Sequence, residues 1–488
     1  MAQTSPPAAR TLPSPSREEI AAAFARQRAH QWIVRKRTAA ERVRKLRDLK
    51  GAIVAHREAL LDAMHEDFRK NRSEAELSEI QLVLTELNEA IGSVTEWMRP
   101  VPVKTPIQLL GTRSRIEYQP RGVVLIMAAW NYPFALIFAP LVAAVAAGNC
   151  AMLRPSERVP RTSDIARRIV EAAFDPEEVT MIGGDLSTAQ ALLDLPFDHV
   201  FFTGSTDIGR RIMAAAASHL SSVTLELGGK SPALVDDTAD VEGAARAIMW
   251  GKFVNAGQTC VAPDYAFVHA SKAEAFLDAS RRTLSSFYGA TDEARQASPD
   301  FCRVIDARNW TRVTGLIEQA VSRGATIEAG GRSDRAELYI APTILSNVAA
   351  DSPIMQDEIF GPVLPVLTYQ SREEIFEFLR ARPKPLAMYV FSKDERQVAE
   401  FIARTSAGGT VINNCLVHIL NPDLPFGGAG ESGFGNYHGH FGFQTFSHAR
   451  AVTVQRRSAL LGLFQPPYAR LKTGWLGSVV KLARRLRD

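Results

Sequence analysis

One of the four cysteines, Cys260, has the sequence context of a nucleophile. It follows a polar turn that contains a glycine, Asn255-Ala-Gly-Gln-Thr, and lies outside any long apolar run, so its thiol can be exposed. The other three lie in apolar or helical stretches, where a cysteine is ordinarily a small core residue. Local context alone leaves both interpretations of Cys260 open. No CxxC pair occurs, so we predict neither a disulfide framework nor a metal site, and a reducing compartment is favoured.

A second reactive group is Glu226, which ends a strand-like run and precedes Gly228 and Gly229. In a partly dry cleft, desolvation raises the pKa of a carboxylate, and this suits a general base that works near neutral pH. The alternative is a glutamate at a strand end that pairs with Lys230. The residue types allow either interpretation.

A candidate phosphate-binding turn runs from Gly204 through Ser205 to Gly209, between an apolar strand and a predicted helix over 207–217. Glycine lets the backbone approach a pyrophosphate closely, and a helix N-terminus offers free N–H groups and a positive dipole end. The turn lacks the second glycine of GxGxxG, so as an isolated motif it has low specificity.

The elements that must position these residues alternate between helices and strands. Residues 17–95 are charged and have apolar positions at helical spacing. Strand-like runs lie at 123–129, 151–153, 179–182, 199–202 and 222–225, and a second set lies at 233–235, 265–268, 326–328, 363–368, 387–391 and 410–412. This alternation predicts an α/β fold with mostly parallel sheets. No linker-like composition separates the two sets, so we expect them to pack closely.

Two stretches need separate interpretation. Residues 122–153 contain no charged residue, which is long enough for a membrane span, but an Asn-Tyr-Pro sequence at 131–133 and Pro140 break it. We therefore predict a buried strand–helix–strand unit there. The glycine-rich segment 425–435 is either a plain loop or a place where backbone must approach something closely.

The net charge of +4 does not favour nucleic-acid binding. Residues 1–16 are rich in Pro, Ser and Ala and predict a disordered arm, not a signal peptide. Residues 461–488 predict a basic amphipathic tail, either resting on an anionic membrane surface or docked on the protein or solvated. We expect a cytoplasmic protein, with peripheral membrane contact through this tail as the added hypothesis.

Seven motifs in register resemble the aldehyde dehydrogenase superfamily. They are Trp130-Asn131-Tyr132-Pro133, Arg154-Pro155-Ser156-Glu157, FTGST at 202–206, ELGGK at 226–230, GQTC at 257–260, Glu358-Ile359-Phe360-Gly361-Pro362 and PFGG at 425–428. The resemblance covers residues 20–455, and the 34-residue step from Glu226 to Cys260 is similar to the family's. The sequences APDY at 262–265, YHG at 437–439 and TFSH at 445–448 are most similar to the class 3 branch, which includes bacterial coniferyl-aldehyde-type and fatty-aldehyde dehydrogenases.

The resemblance implies an α/β fold with a Rossmann-like cofactor domain, an α/β catalytic domain and a small β oligomerisation element. It places the dinucleotide-binding domain at 17–112 and 131–227 and the catalytic domain at 228–425. The oligomerisation element is expected at 113–130 and 436–460, as a hairpin and a C-terminal strand near 449–455, and it implies a homodimer.

The resemblance also implies a mechanism. Cys260 attacks an aldehyde to give a thiohemiacetal, the Asn131 amide and the Cys260 backbone N–H hold the oxyanion, and Glu226 activates the water that hydrolyses the resulting thioester. The implied substrates are medium-chain or long-chain aliphatic aldehydes, or aromatic ones.

The implied cofactor is NAD or NADP. Gly204, Ser205, Gly209, Leu227 and Ser156 would contact it, with Glu157 on the adenosine ribose, Glu358 on the nicotinamide ribose and Phe360 beside the nicotinamide. Arg154 departs from the lysine usual in the family, and an arginine there favours a 2′-phosphate while Glu157 opposes one. The choice between the two cofactors therefore stays open.

Three alternatives remain. A CoA-acylating enzyme on the same fold would not need the base that Glu226 supplies. A cofactor-independent cysteine esterase would leave the turn at 204–209 and Glu358 without a purpose, and the chain has no GxSxG motif. A non-catalytic scaffold would not require Cys260, Glu226 and Asn131 together.

Overall fold

The computed structural model of the chain describes residues 14–106 and 111–455, together with Leu12, Leu109 and Pro466. Most of the predicted arm over 1–16 lies outside the described residues. The predicted tail over 461–488 also lies outside them, apart from Pro466.

Helices and strands alternate along most of the chain. The helices are α1 Arg17–Val34, α2 Ala39–Ala55, α3 Arg57–Phe68, α4 Arg72–Ala75, α5 Gln81–Trp97, α6 Ala135–Ala147, α7 Pro160–Ala173, α8 Leu186–Leu193, α9 Thr206–Ala217, α10 Val241–Phe253, α11 Ala273–Tyr288, α12 Asp292–Ala297, α13 Ala307–Ser322, α14 Arg372–Arg380, α15 Glu395–Arg404 and α16 Gly439–Thr445. A π-helix, Glu76–Ile80, joins α4 to α5, and short 3₁₀ helices lie at Val254–Gly257, Ala270–Lys272, Pro353–Met355 and Val417–Leu420.

The strands are β1 Val101–Val103, β2 Thr112–Pro120, β3 Val123–Met127, β4 Cys150–Arg154, β5 Val179–Met181, β6 His199–Thr203, β7 Ser222–Glu226, β8 Pro232–Val235, β9 Tyr265–His269, β10 Thr326–Ala329, β11 Ser333–Asp334, β12 Tyr339–Ile340, β13 Thr343–Ser346, β14 Val363–Tyr369, β15 Ala387–Phe391, β16 Gly409–Ile412, β17 Gly433–Phe434 and β18 Ser447–Gln455. Each strand-like run predicted from the sequence corresponds to one of these strands within one or two residues. Five strands were not predicted, namely β1, β11, β12, β13 and β17.

The first helices start where the sequence provides caps. The side chains of Ser16 and Thr38 accept hydrogen bonds from the backbone N–H groups of Glu19 and Glu41. The carboxylates of Glu19 and Glu41 accept in turn from the backbone N–H groups of Ser16 and Thr38, so α1 and α2 both begin with a capping box. Leu46, Leu49 and Ile53 of α2 are fully buried, as their helical spacing predicted.

Six strands form the first sheet in the order β17-β7-β6-β3-β4-β5. All are parallel except β17, which runs antiparallel to β7. The strand β3 is buried throughout, and so is nearly every residue of α6. The uncharged stretch 122–153 is therefore the buried strand–helix–strand unit that we predicted. Within the described ranges, no helix is both long enough and apolar enough to cross a membrane.

The predicted bridging element over 113–130 is wrong for its second half. The strand β3 pairs with β4 on one side and β6 on the other, so it lies inside the first sheet. Of the predicted range 113–130, only β2 lies outside the first sheet. It pairs antiparallel with β18 over nine residue pairs, from Pro120 opposite Ser447 to Thr112 opposite Gln455. The short β1 pairs with the other edge of β2. The predicted cofactor-domain range 17–112 is therefore wrong for β1.

Seven strands form the second sheet in the order β10-β13-β14-β9-β8-β15-β16. Only β10 is antiparallel to its neighbour. One hydrophobic core includes Val124 and Ile126 of the first sheet and Ala233 and Val235 of the second. The two alternating sets therefore pack closely, as expected from the absence of a linker.

Candidate active site

A cleft of about 630 Å³ runs past the carboxyl ends of β6 and β7. This volume suits a small-molecule or cofactor site. Its walls bring together eight of the twelve residues that the sequence singled out, namely Asn131, Gly204, Ser205, Glu226, Leu227, Cys260, Glu358 and Phe360.

Cys260 follows a turn that the sequence folds into an uncommon conformation. Asn255, Ala256 and Gly257 have φ values of +54°, +50° and +72°, three left-handed residues in succession. The fully buried Gln258 fixes the end of this turn, since its Nε2 donates to the carbonyl of Asn255 at 3.0 Å. Cys260 itself is partly exposed, whereas the other three cysteines are buried.

The thiol of Cys260 lies in an environment that disfavours its charge. Burial, followed by the nearby carboxylates of Glu358 and Glu226, raises its pKa to about 12. The backbone N–H groups of Cys260 and Val261 act in the opposite direction. A thiol of this kind needs a base nearby before it can attack as a thiolate.

Glu226 ends β7 and is 3% exposed. Neither of its carboxylate oxygens has a hydrogen-bond partner among the described residues, and burial raises its pKa well above the ordinary value. The pairing with Lys230 that we considered is wrong, because Lys230 Nζ binds Asp264 Oδ2 at 2.5 Å. A buried carboxylate without partners is costly, which marks Glu226 as a candidate functional group.

Asn131 lies on the loop after β3, directly before the start of α6, and is buried. Its Nδ2 donates one N–H to the Gln258 carbonyl at 3.0 Å, and its own carbonyl accepts from Asn255 Nδ2 at 2.9 Å. An amide nitrogen carries two N–H groups, so the second can be directed at a bound ligand. These bonds join the Asn131 loop to the turn that precedes Cys260.

Close packing accounts for the glycines at the predicted phosphate-binding turn. A Cβ at Gly209 would come within 2.6 Å of Leu227 Cδ2, and one at Gly204 within 2.3 Å of the Phe202 ring. The N–H of Gly204 is not free, because it donates to the Glu226 carbonyl at 3.0 Å. The first residues of α9, Thr206 and Asp207, line the cleft next to this turn.

Glu358 lies against a bare stretch of backbone. A Cβ at Gly228 would be 1.9 Å from Glu358 Oε2, and the backbone N–H of Gly229 acts to lower the pKa of this carboxyl group. Burial and Asp264 raise the pKa of Glu358 to about 8. Phe360 has a φ of +45° and meets the Trp130 ring edge to face, with ring centres 5.4 Å apart.

Ser156 and Glu157 are not in the main cleft but line a second pocket of about 230 Å³. Arg154 lies beside this pocket, where its Nη2 is 3.1 Å from Glu157 Oε2 and 3.3 Å from the Asp185 carbonyl. The structure thus separates these three residues from the thiol.

The sequence interpretation missed two groups of residues at the cleft. One comprises five basic side chains, Arg210, Arg308, Arg312, Arg382 and Lys384, which lie on the same walls as Lys230 of the ELGGK motif. They come from separate parts of the chain and belong to no motif, so only the fold brings them together. The other is the pair Asn255 and Gln258. They lie in or next to the GQTC motif, but the sequence did not indicate that their side chains hold the turn before Cys260. Fold and cleft together define an α/β enzyme of the dehydrogenase type.

Comparison with known proteins gives the family. A family model described as the aldehyde dehydrogenase family matches residues 7–452. A 4,4'-diaponeurosporen-aldehyde dehydrogenase of Staphylococcus aureus is 44% identical over 427 residues, which is 88% of this chain and 92% of that protein. A dimeric NADP-preferring aldehyde dehydrogenase of Rattus norvegicus is 42% identical over 414 residues, 85% of this chain and 90% of that protein. A substrate-bound structure of Staphylococcus aureus AldH matches with a TM-score of 0.90 at 41% identity, covering 94% of this chain and 99% of that one.

The chain belongs to the aldehyde dehydrogenase family. It has the α/β fold of that family and the relatives of the class 3 branch that the sequence motifs indicated. Its activity is the NAD-dependent or NADP-dependent oxidation of an aldehyde. This outcome excludes the cofactor-independent esterase and the scaffold.

Proposed function

We propose that Cys260 is the nucleophile of this oxidation. The observation that carries the proposal is that a partly exposed thiol and a buried, unpartnered carboxylate, Glu226, share one cleft. Attack of Cys260 Sγ on the aldehyde carbon forms a C–S bond and converts the carbonyl oxygen to an oxyanion. The thiol proton passes to Glu226, whose raised pKa makes it a stronger base than an ordinary carboxylate.

The oxyanion is held by the second N–H of Asn131 Nδ2 and by the backbone N–H of Cys260. Both donors are fixed before the reaction starts, because the Asn131 side chain is already anchored on the Gln258 carbonyl. Donors fixed in this way stabilise charge that develops only in the transition state.

Glu226 then activates a water molecule. Loss of hydride from the thiohemiacetal carbon leaves a thioester on Cys260, and Glu226 gives up the thiol proton to solvent. Water deprotonated by Glu226 then attacks the thioester, and this second proton passes to the leaving thiolate, so that the carboxylic acid and the free thiol are released. The presence of this base supports water rather than CoA as the acyl acceptor.

The residues present fit a dinucleotide. The Glu358 carboxylate rests against the bare Gly228 backbone at the edge of the cleft, and six basic side chains line the same walls. Glu358 and Phe360 would hold the nicotinamide end, while Gly204, Ser205 and the start of α9 would hold the phosphates, with Gly209 and Leu227 packing behind them. When bound, NAD or NADP supplies the hydride acceptor.

Cofactor choice depends on Arg154 and Glu157 at the second pocket, which would take the adenosine end together with Ser156. Arg154 is held by Glu157, and Glu157 is half-exposed. We propose that the enzyme accepts both cofactors, since one side chain attracts a 2′-phosphate and the other repels it.

An apolar aldehyde is the proposed substrate, either aromatic or of medium to long chain. The cleft that holds Cys260 is also lined by the aromatic side chains of Trp130, Tyr265 and Phe360. A site bounded by such side chains favours an apolar chain or ring over a small polar aldehyde.

Assembly and location are also proposals. In the three-stranded sheet, β18 is an edge strand and is largely exposed, so it offers unpaired backbone groups to a second copy. We propose a homodimer that uses this edge, supported by the dimeric relative. Four free cysteines support a cytoplasmic location, and the basic tail over 461–488 supports peripheral contact with an anionic membrane.

The experiment that tests the proposed function is a screen for NADH and NADPH formation over aldehydes of increasing chain length and ring content. We expect activity with apolar aldehydes that needs no CoA. A Cys260→Ser variant should be inactive with every combination of aldehyde and cofactor. Full activity of that variant would remove the proposal.

A further inference from the structure

Three polar side chains, Lys70, Glu74 and Glu79, lie behind the proposed catalytic residues, and none of them is a wall of the cleft. The side chains of Lys70 and Glu79 are completely buried and form an ion pair at 2.8 Å. Burying charged groups is costly even when they are paired. The residues that this buried set contacts therefore indicate its role.

Glu79 and Lys70 fix the loop that carries Asn131. Glu79 Oε2 accepts from the backbone N–H groups of Phe134, at 2.9 Å, and Ala135, at 3.1 Å, where α6 begins. The Nζ of Lys70 lies 4.0 Å from the centre of the Tyr132 ring. The ion pair of Lys70 and Glu79 therefore holds the Asn131 loop at two points, at Tyr132 and at the start of α6.

Glu74 fixes the turn that leads to Cys260. Its Oε1 accepts from the backbone N–H of Asn255 at 3.0 Å. That turn has three left-handed residues, two of them not glycine, and such a conformation persists only when its surroundings hold it. The Asn255 side chain in turn donates to the carbonyl of Asn131 at 2.9 Å and to that of Gln258 at 3.1 Å.

We propose that residues 70–80 form a positioning element that sets the relation between the Cys260 thiol and the Asn131 amide, with Glu74 as its positioning residue on the Cys260 side. One short segment holds both halves of the site, Glu79 through the start of α6 and Glu74 through the Asn255 turn. The π-helix Glu76–Ile80 begins between the two glutamates, and π-turns occur often at functional sites. The inference rests on the proposed roles of Cys260 and Asn131.

The test compares two substitutions of Glu74. Glu74→Met keeps the length of the side chain and removes the acceptor, whereas Glu74→Gln keeps an oxygen that can accept from Asn255. A control, Asp67→Leu, removes a carboxylate that accepts from two other backbone N–H groups, those of Arg161 and Thr162, away from this turn. For each variant, kcat, the cofactor KM and the Tm are measured.

We expect Glu74→Met to lower kcat about tenfold or more, because a buried backbone donor loses its partner and the turn relaxes. Its cofactor KM should stay within about twofold of the parent value, since the cofactor residues lie elsewhere. Glu74→Gln should recover most of the lost kcat, and Asp67→Leu should lower the Tm while leaving kcat unchanged.

Three results would overturn the positioning role. They are a Glu74→Met variant with the parent kcat, a Glu74→Gln variant as slow as Glu74→Met, or an equal loss of kcat in Asp67→Leu. Each leaves the role of Cys260 intact, because that role fails only if Cys260→Ser remains active.

Discussion

Substituting alanine for Gly228 should weaken the proposed contact of Glu358 with the cofactor, because the added methyl group displaces the carboxylate. A Cβ added at Gly228 would be 1.9 Å from Glu358 Oε2 and 2.7 Å from Glu358 Cδ. An ordinary van der Waals contact begins near 3.4 Å, so the carboxylate must retreat by about 1.5 Å. Gly228 has no positive φ, so its backbone tolerates alanine and the effect comes from the side chain alone.

The displaced Glu358 carboxyl group would no longer reach the nicotinamide ribose hydroxyl that it is proposed to bind. Because the pKa of Glu358 is raised to about 8, this group is largely neutral near pH 7, and a neutral hydrogen bond is worth about 0.5–1.5 kcal/mol. Its loss corresponds to a roughly 2-fold to 13-fold rise in the KM for NAD and NADP. Steady-state kinetics with each cofactor varied at saturating aldehyde measures this rise. The aldehyde KM should change far less, because Glu358 lies at the proposed nicotinamide end.

A double-mutant cycle isolates the contact. In a Glu358→Ala background, Gly228→Ala should add almost nothing, because the group that it displaces is gone. Gly51→Ala is the control, since a Cβ there meets no atom within 4 Å. Additive effects of Gly228→Ala and Glu358→Ala, or an unchanged cofactor KM in the single variant, would refute the reasoning.

The remaining predictions concern the base, the cofactor choice and the tail. Because burial raises the pKa of Glu226, the folded protein retains a proton there that the unfolded chain loses, so this group's stabilising effect is lost as pH rises. The Tm of Glu226→Gln relative to that of the parent should therefore rise as the pH increases above 4.5, the ordinary pKa of the group, and a constant difference would contradict this. Releasing Arg154 by Glu157→Gln should raise the ratio of kcat/KM for NADP to that for NAD about three- to tenfold, and an unchanged ratio would exclude this role of the pair. Truncation after residue 468 should leave turnover intact and abolish co-sedimentation with anionic liposomes; equal sedimentation of both forms would remove the membrane hypothesis.

The positions of the strands and the candidate reactive residues were predictable from the sequence for different reasons. Strands such as β3 and β6 are buried on both faces, so they appear in the sequence as unbroken apolar runs between helices. The strand β13 is equally buried, but it lies between a proline and a polar turn, and its four residues are too few for a clear pattern. The motifs singled out Cys260 and Glu226 as candidates because the residues of each motif are adjacent in the sequence.

The parts that were missed depend on contacts between distant residues. Glu74 and Asn255 are 181 positions apart, and nothing in either window indicates that a backbone N–H of one needs the carboxylate of the other. The basic walls of the cleft come from four separate helices and loops and have the same limitation. The bridging element was wrong over β3 because the apolar run at 123–127 was assigned by resemblance, although its pattern already indicated a central strand.

The most direct test of the central claim traps the acyl group on the thiol. In a Glu226→Gln variant mixed with NAD and an apolar aldehyde, the first turnover should form NADH more slowly than in the parent, because the Cys260 thiol has lost its base. Hydrolysis of the acyl group should then be slowed about 10²- to 10⁴-fold, so that the acyl-enzyme accumulates. Peptide mass spectrometry after acid quenching should find the acyl mass on Cys260 and on no other cysteine. NADH formation with Cys260 left unmodified, or the acyl group on a different residue, would contradict the account.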